Sequence, residues 1–478
     1  MGIAMSPSED RAEAADFSDS AAGEAKMPAE FGVWMAVSVV VASMVGTGVL
    51  TTSGYTMALV GSNRLMLALW LVGGLIAICG ALTLAELSAA LPKTGGDYVF
   101  LFEAYGPLAA FLSGWVSFLM GFSGPSATAA YGSAKYVLAP LRLSGTNAML
   151  AERGLATVAI LIFAAIHVSG RRRTSLVQGW ITGLKVAVLL VLIVAGLSVG
   201  WPNTANLNDA RPIDAGLAKT MLFSMVFVYY AYTGWNGASY LAGEIREPQK
   251  VLPRAILIGT GIVAVLYLAV NVVYALALSA ADVQAIVADP TNTQGLDAVA
   301  PIAEIASRRL FGEQWSNPLS VAIGLMMLSS LSVYMLLGPR VIYAMAKAGQ
   351  FPSIAARLRP GTQTPGVATL FQIAATLVLL WTGSFENLFI YASVGLSMFS
   401  LLAMSAIFVL RVKRPDLPRP FRTPGYPVTP AVYLLLTGTL LVAAFVSAPF
   451  VSTISLVSML VGIPIYFLAS RSRPAEAA

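Results

Sequence analysis

The sequence predicts an all-α polytopic membrane protein, and three observations carry that prediction. Of its 478 residues, 57% are hydrophobic and 11% charged, against roughly a quarter charged in soluble domains. The apolar residues gather into runs of roughly 20 residues or more, the length a helix needs to cross a hydrocarbon core. Two of these runs are interrupted at mid-depth, at Gly46-Thr47-Gly48 and at Thr233-Gly234-Trp235. Glycine loses more backbone freedom in a helix than any other residue, so each interruption predicts a discontinuous helix. In lipid, the freed backbone groups must find partners in the protein or in a water-lined cavity.

Composition excludes several classes. One cysteine, Cys79, cannot form an internal disulfide, and no disulfide-linked heavy chain is expected. One histidine, His167, rules out a histidine cluster for metal. No cofactor is expected, and no catalytic set with useful spacing argues for an enzyme. No Gly-x-x-x-x-Gly-Lys-Ser/Thr loop is present, which argues against ATP-driven transport within this chain. The net charge of +6 does not point to nucleic acid. In membrane proteins an excess of Lys and Arg marks cytoplasmic loops.

Taken in order, residues 1–30 are small, polar and mixed in charge, without a signal-peptide apolar region, and read as a disordered cytoplasmic tail. About twelve spans follow. They are expected at 31–60 (broken), 65–91, 107–138, a short 155–168, 175–199, 217–245 (broken), 251–278, 318–347, 365–381, 388–410, 431–450 and 453–470. The third should kink at Gly121, Gly124 and Pro125. An interfacial helix is expected at 98–105, and short helices over the outer mouth within 279–316. Loop cations such as Lys93, Arg171, Arg246, Lys347, Arg411 and Arg414 favour one side by about threefold, which places both termini in the cytoplasm of a cell (inner or plasma) membrane.

The interrupted spans are five apart and therefore antiparallel, the sequence pointer to a five-plus-five inverted repeat. Each break leaves a half-helix N-terminus, which favours an anionic group, and free carbonyls, which favour an ammonium. A zwitterion suits both. This is the physical case for an α-amino acid substrate, with membrane lipid as the other partner. A Gly-x-Gly alone more often serves close helix packing; two breaks five spans apart, beside Tyr229, Tyr230, Tyr232 and Asn236, weigh against that.

Four segments carry a family resemblance: Val45-Gly46-Thr47-Gly48-Val49; Ala85-Glu86-Leu87 through Pro92-Lys93-Thr94-Gly95-Gly96-Asp97-Tyr98; Tyr230 through Asn236, then Gly243-Glu244-Ile245-Arg246-Glu247-Pro248; and Gly338-Pro339-Arg340 through Ala346, with Phe351-Pro352. Over residues 31–470 the chain resembles the amino acid–polyamine–organocation superfamily of transporters. Gly234-Trp235-Asn236 and Pro125 resemble its L-type branch. The resemblance implies the LeuT-type fold: a first repeat at 31–200, a second at 217–411, and two additional helices at 429–470.

Carried over, it places the substrate carboxylate on the amides of Thr47 and Gly48. The ammonium falls on the carbonyls of Met44, Tyr230, Ala231 and Thr233. Val45, Gly46, Gly234 and Trp235 complete the two breaks, and Tyr230 is the occluding gate. Thr47 departs from the commoner Ser or Ala, Leu50 from an aromatic, Tyr230 from Phe and Thr233 from Gly; the last narrows the pocket.

Lys185 lies ten residues into the fifth span, about 15 Å deep, too deep for its stem to snorkel. An intramembrane ionisable residue is a functional hypothesis by default. The resemblance puts it at a sodium site, as in sodium-independent members. A fixed structural cation and a proton carrier, made feasible because burial disfavours the charged form, stay open. Ser329, Ser330 and Ser332 could face the same region, although such hydroxyls more often bond their own backbone. Glu86 and Glu244 read as loop ion pairs or gates, and His167 as structural. Tyr131 and Ser126 read as core rather than pocket wall.

No acidic side chain is recognised at pocket depth. The expected function is therefore sodium-independent secondary transport of small to medium neutral L-amino acids, by proton symport or exchange. Transport of cationic amino acids or polyamines, or amino acid sensing without flux, are the alternatives.

Overall fold

The computed structural model describes residues 31–471 except Thr47, Arg142, Ser144, Ala210, Thr291, Thr293, Gln294 and Ser384. The expected tail at 1–30 and the expected site residue Thr47 lie outside the described residues.

The chain folds as helices in this order: α1 Val33–Met44, α2 Ser53–Val60, α3 Asn63–Ala90, α4 Asp97–Tyr105, α5 Pro107–Val116, α6 Gly124–Leu138, α7 Gly145–Val168, α8 Arg171–Gly200, α9 Ala215–Tyr232, α10 Pro248–Ala277, α11 Ala280–Ala288, α12 Ile302–Phe311, α13 Glu313–Lys347, α14 Gly366–Thr382, α15 Phe385–Lys413, α16 Val428–Ser447, α17 Pro449–Leu460 and α18 Gly462–Arg471. Among the described residues ten helical stretches are long and apolar enough to cross a membrane. They coincide with ten of the twelve expected spans. The other two expected spans are α14, which is apolar but shorter, and α9, which stops at its break.

Local chemistry accounts for several boundaries. Ser62 caps α3 by accepting from the Leu65 amide, and Asp214 caps α9 from Leu217 at 2.7 Å. The third span widens to a π-helical turn over Ser117–Ser123, immediately before Gly124-Pro125, where proline removes a backbone donor. Two expectations need correction. The fourth span is not short: α7 begins at Gly145, its polar first turns lacking the apolar pattern that would have marked them, and Arg153 within it donates to the Trp381 carbonyl at 3.0 Å. The eighth begins at Glu313, so that Pro318 sits inside its first turns rather than at its start.

The two interrupted spans lie side by side and head to tail. The helix before the first break, α1, packs on the 3-10 segment Trp235–Glu244 that follows the second, while α2 packs on α9. At one end Phe31 and Ile245 form an isolated parallel bridge, with the Phe31 amide donating to the Glu244 carbonyl at 2.9 Å. Tilted or edge-on aromatic pairs join Trp70, Tyr232 and Tyr267, at 5.0 to 5.7 Å between ring centroids, behind the crossing. Outward-facing residues are large and apolar, such as Trp180, Val265 and Phe450, as a lipid-facing surface requires.

Candidate substrate site at the crossed breaks

Helix α1 ends where Val45 turns extended (φ −71°, ψ 100°), and α9 where Thr233 does (φ −68°, ψ 162°). Gly234 then adopts φ +105°, a conformation side chains other than glycine's rarely take. A Cβ there would lie 2.7 Å from the Ser43 carbonyl oxygen, and one on Gly48 would lie 2.6 Å from the Ala231 Cα. The small residues are thus what lets the two unwound backbones touch.

Around the crossing sits a cavity of about 60 Å³, room for a few waters. Of the expected site residues, Tyr230, Thr233, Gly234 and Trp235 line it. Met44, Val45, Gly46, Gly48 and Ala231 are absent from its lining; the first break reaches the cavity through Ser43 instead. The Tyr230 ring meets Phe389 edge-on at 4.8 Å and its hydroxyl lies 3.4 Å from Thr128 Oγ1.

Several of the freed carbonyls already have partners. The Tyr267 hydroxyl reaches the carbonyls of Met44 (2.5 Å) and Ala231 (3.1 Å), its single proton serving one at a time. Tyr334 donates to the Ser43 carbonyl at 2.7 Å, and the Thr233 hydroxyl to the Tyr230 carbonyl at 2.6 Å. The Tyr230 carbonyl also accepts from the Thr233 amide at 3.0 Å, so both of its lone pairs are used. Tyr267 and Tyr334 were not singled out in the sequence; nothing in their local pattern separates them from other tyrosines of apolar helices.

Lys185, wholly buried, does not border the cavity. Its ammonium reaches around the first break from behind, donating to the carbonyls of Ala42 (3.1 Å) and Val45 and to Ser330 Oγ at 2.8 Å. Ser330 in turn donates to the Val45 carbonyl at 2.8 Å. Ser332 donates to Gln178 Oε1 at 2.7 Å, and Ser329 lies 3.4 Å from Thr182 Oγ1. These hydroxyls face neighbouring helices rather than their own backbone. His167 is buried between Thr174 and Ser332. Tyr131 and Ser126 do not line the cavity. Glu244 pairs with Arg340 at 2.8 Å and Glu86 with Arg411 at 2.7 Å.

The expectation that no acidic side chain lies at pocket depth needs correction: Asp97, after Gly95-Gly96 in a polar turn, reaches the cavity. The structure makes it the first residue of α4 and part of the cavity wall. Its Oδ2 accepts from Asn236 Nδ2 at 2.8 Å and lies 3.4 Å from the Tyr240 hydroxyl. Burial pushes its carboxyl up to about 6, against the lowering effect of those two bonds.

A bundle of apolar helices crossing around two facing backbone breaks defines a polytopic membrane protein with a small interior site walled by both polar and apolar side chains. Comparison with known proteins gives the class its family. The profile described as "Amino acid permease" matches residues 31–469. The human large neutral amino acids transporter small subunit 2 is 31% identical over 94% of this chain and 82% of its own length. The serine/threonine exchanger SteT of Bacillus subtilis is 28% identical over 92% and 96%, and the human cystine/glutamate transporter 26% over 90% and 83%. The chain belongs to the amino acid permease family of the amino acid–polyamine–organocation superfamily, and it is a secondary amino acid transporter.

Proposed function

We propose that this transporter carries small to medium neutral L-amino acids without sodium, by alternating access around the crossed breaks, as an exchanger or a proton symporter. The reading includes a five-plus-five inverted repeat (31–200 and 217–411, with 429–470 additional), and both termini in the cytoplasm of the cell membrane. The substrate is held between the breaks. Its carboxylate meets the Thr47–Gly48 amides and its ammonium the carbonyls of Met44, Tyr230, Ala231 and Thr233, with Tyr230 closing over it.

The observation that carries the sodium independence is Lys185. Its ammonium takes the Ala42 and Val45 carbonyls together with a serine hydroxyl, an all-oxygen set of the kind a bound Na⁺ would use. A positive charge there leaves a second cation little reason to bind. Selectivity for small side chains is supported by Thr233 and Tyr230 on the cavity wall. Relatives named for large neutral amino acids and for serine and threonine support a neutral substrate.

The test is counterflow in proteoliposomes. Labelled L-alanine or L-serine entry should be driven by the same amino acid inside, should not change when K⁺ replaces Na⁺, and should exceed that of lysine or putrescine. A requirement for Na⁺, or preference for the amines, would overturn the reading. Acceleration by an inward proton gradient in vesicles without internal substrate would assign symport; strict dependence on internal substrate would assign exchange.

A further inference from the structure

The end of the bundle that carries Phe31, Glu244 and Arg340 is also where Asp97 lies, and three other carboxylates there are ion-paired. Glu244 is paired with Arg340, Glu86 with Arg411, and Glu103 with Lys93 and Arg414. Asp97 has no such partner among the described residues. It is 8% exposed; Oδ2 has its two neutral contacts, while Oδ1 is buried and accepts no hydrogen bond. The N-terminus of its own α4 offsets part of the charge, but a buried carboxylate oxygen without a donor is costly. The cavity this side chain borders is the one lined by Thr233 and Gly234. A small cation with N–H donors, arriving through that cavity, would satisfy it.

We propose that Asp97 is a second ammonium-binding subsite, displaced from the breaks towards the basic end of the bundle. It takes the substrate's ammonium as the amino acid passes between the breaks and that end. Asn236 and Tyr240 are its positioning residues: by holding Oδ2 they leave Oδ1 for the ligand. Asn236 follows the second break by two residues, so any movement of the 3-10 segment Trp235–Glu244 also moves the carboxylate's holder. The inference rests on the amino acid transport reading and extends it from one ammonium position to two. It also specifies a ligand the breaks alone would not favour, a primary amine with no carboxylate.

The test uses propylamine on the full-length protein in right-side-out and inside-out vesicles. Propylamine should inhibit alanine exchange from the face bearing the basic loops, and Asp97→Asn should weaken that inhibition by about tenfold or more, equivalent to ~1.4 kcal/mol. Asp97→Glu should retain most of it. Tetramethylammonium, which has the charge but no N–H, should inhibit wild type poorly. Unchanged propylamine inhibition in Asp97→Asn, equal weakening at both faces, or equal potency of tetramethylammonium would each overturn the proposal. If Asp97→Asn does not fold, the comparison of the two amines on wild type decides. If no amino acid is exchanged at all, the transport reading fails. Thermal stabilisation by propylamine of wild type but not of Asp97→Asn then judges the subsite separately.

Discussion

The ammonium of Lys185 and the hydroxyl of Ser330 lie 2.8 Å apart and converge on one acceptor, the carbonyl oxygen of Val45. Val45 is the residue at which the first span stops being helical. A lysine from α8 and a serine from α13 therefore satisfy a backbone group that lipid could not. The break is held open by side chains from two other helices, and this coupling makes it testable.

Removing the cation should disable the break. Lys185→Ala leaves the Ala42 and Val45 carbonyls with Ser330 alone, in a fully buried site. Alanine counterflow should fall by about tenfold or more. Lys185→Arg should not restore it, because a planar guanidinium does not replace a compact ammonium. Full transport with unaltered pH dependence in Lys185→Ala would exclude a coupling role.

Ser330→Ala deletes the hydrogen bond from the Lys185 ammonium, worth about 1.5–3 kcal/mol, together with the one to the Val45 carbonyl. Thermal unfolding in detergent should shift down by several degrees, with transport reduced but not abolished. A shift confined to transport, with unfolding unchanged, would mean the hydroxyl serves the cycle and not the resting fold.

Gly234→Ala forces a Cβ to φ +105° and to within 2.7 Å of the Ser43 carbonyl oxygen. Strain of about 1–3 kcal/mol at the point where the breaks touch should abolish counterflow while helix content, read by circular dichroism, is kept. Gly438→Ala, where an added Cβ meets nothing within 4 Å, is the control and should transport normally.

The Arg340–Glu244 pair joins α13 to the end of the 3-10 segment that follows the second break. Both partners are at most 8% exposed, so Arg340→Met breaks a buried ion pair, at a cost of about 3–5 kcal/mol. Combining Arg340→Met with Glu244→Leu should recover much of the thermal stability, as a double-mutant cycle in detergent would record.

The Asp97 subsite should be pH-dependent with a defined sign. Its carboxyl is raised to about 6 by burial, so the ionised form that binds an ammonium is gained as pH rises through that value and lost below it. For the fold alone the sign is opposite: the folded value lies above the ordinary 3.8, so stability falls as pH rises from about 3.8 to about 6 and is constant above that. The titratable groups facing it are the phenols of Tyr240 and Tyr229, neutral in this range. Arg411 and Lys413 of α15 are engaged with Glu86 and, at the far end of α4, with the Ala104 carbonyl. Propylamine inhibition from the basic face should therefore strengthen between pH 5 and 7.5, and Asp97→Asn should flatten the profile.

Much of this was legible in advance. The two breaks were readable because Gly46 and Gly48, and Gly234, stand out against apolar runs, and a helix in lipid has no water to repair them. Lys185 was readable for the same reason: one charge in an apolar span is conspicuous. Asp97 was not, because an aspartate after two glycines in a polar turn looks like any other loop residue. What distinguishes it is burial against Asn236, a residue 139 positions away. The first turns of α7 were missed because polar residues extend a helix past the apolar layer without leaving a periodic signal.

By itself the sequence determined that the chain crosses a membrane many times and that two of its crossings are interrupted. Both follow from what each segment must do alone in lipid, where length, hydrophobicity and backbone satisfaction act residue by residue. The tertiary structure decided which groups meet the interruptions. Only packing brings Lys185 to a carbonyl 140 residues earlier in the chain, Tyr267 to both breaks at once, and Asp97 into the wall of the same cavity. A hydrogen bond depends on separation in space, about 3 Å between heavy atoms, and separation along the chain carries no record of it.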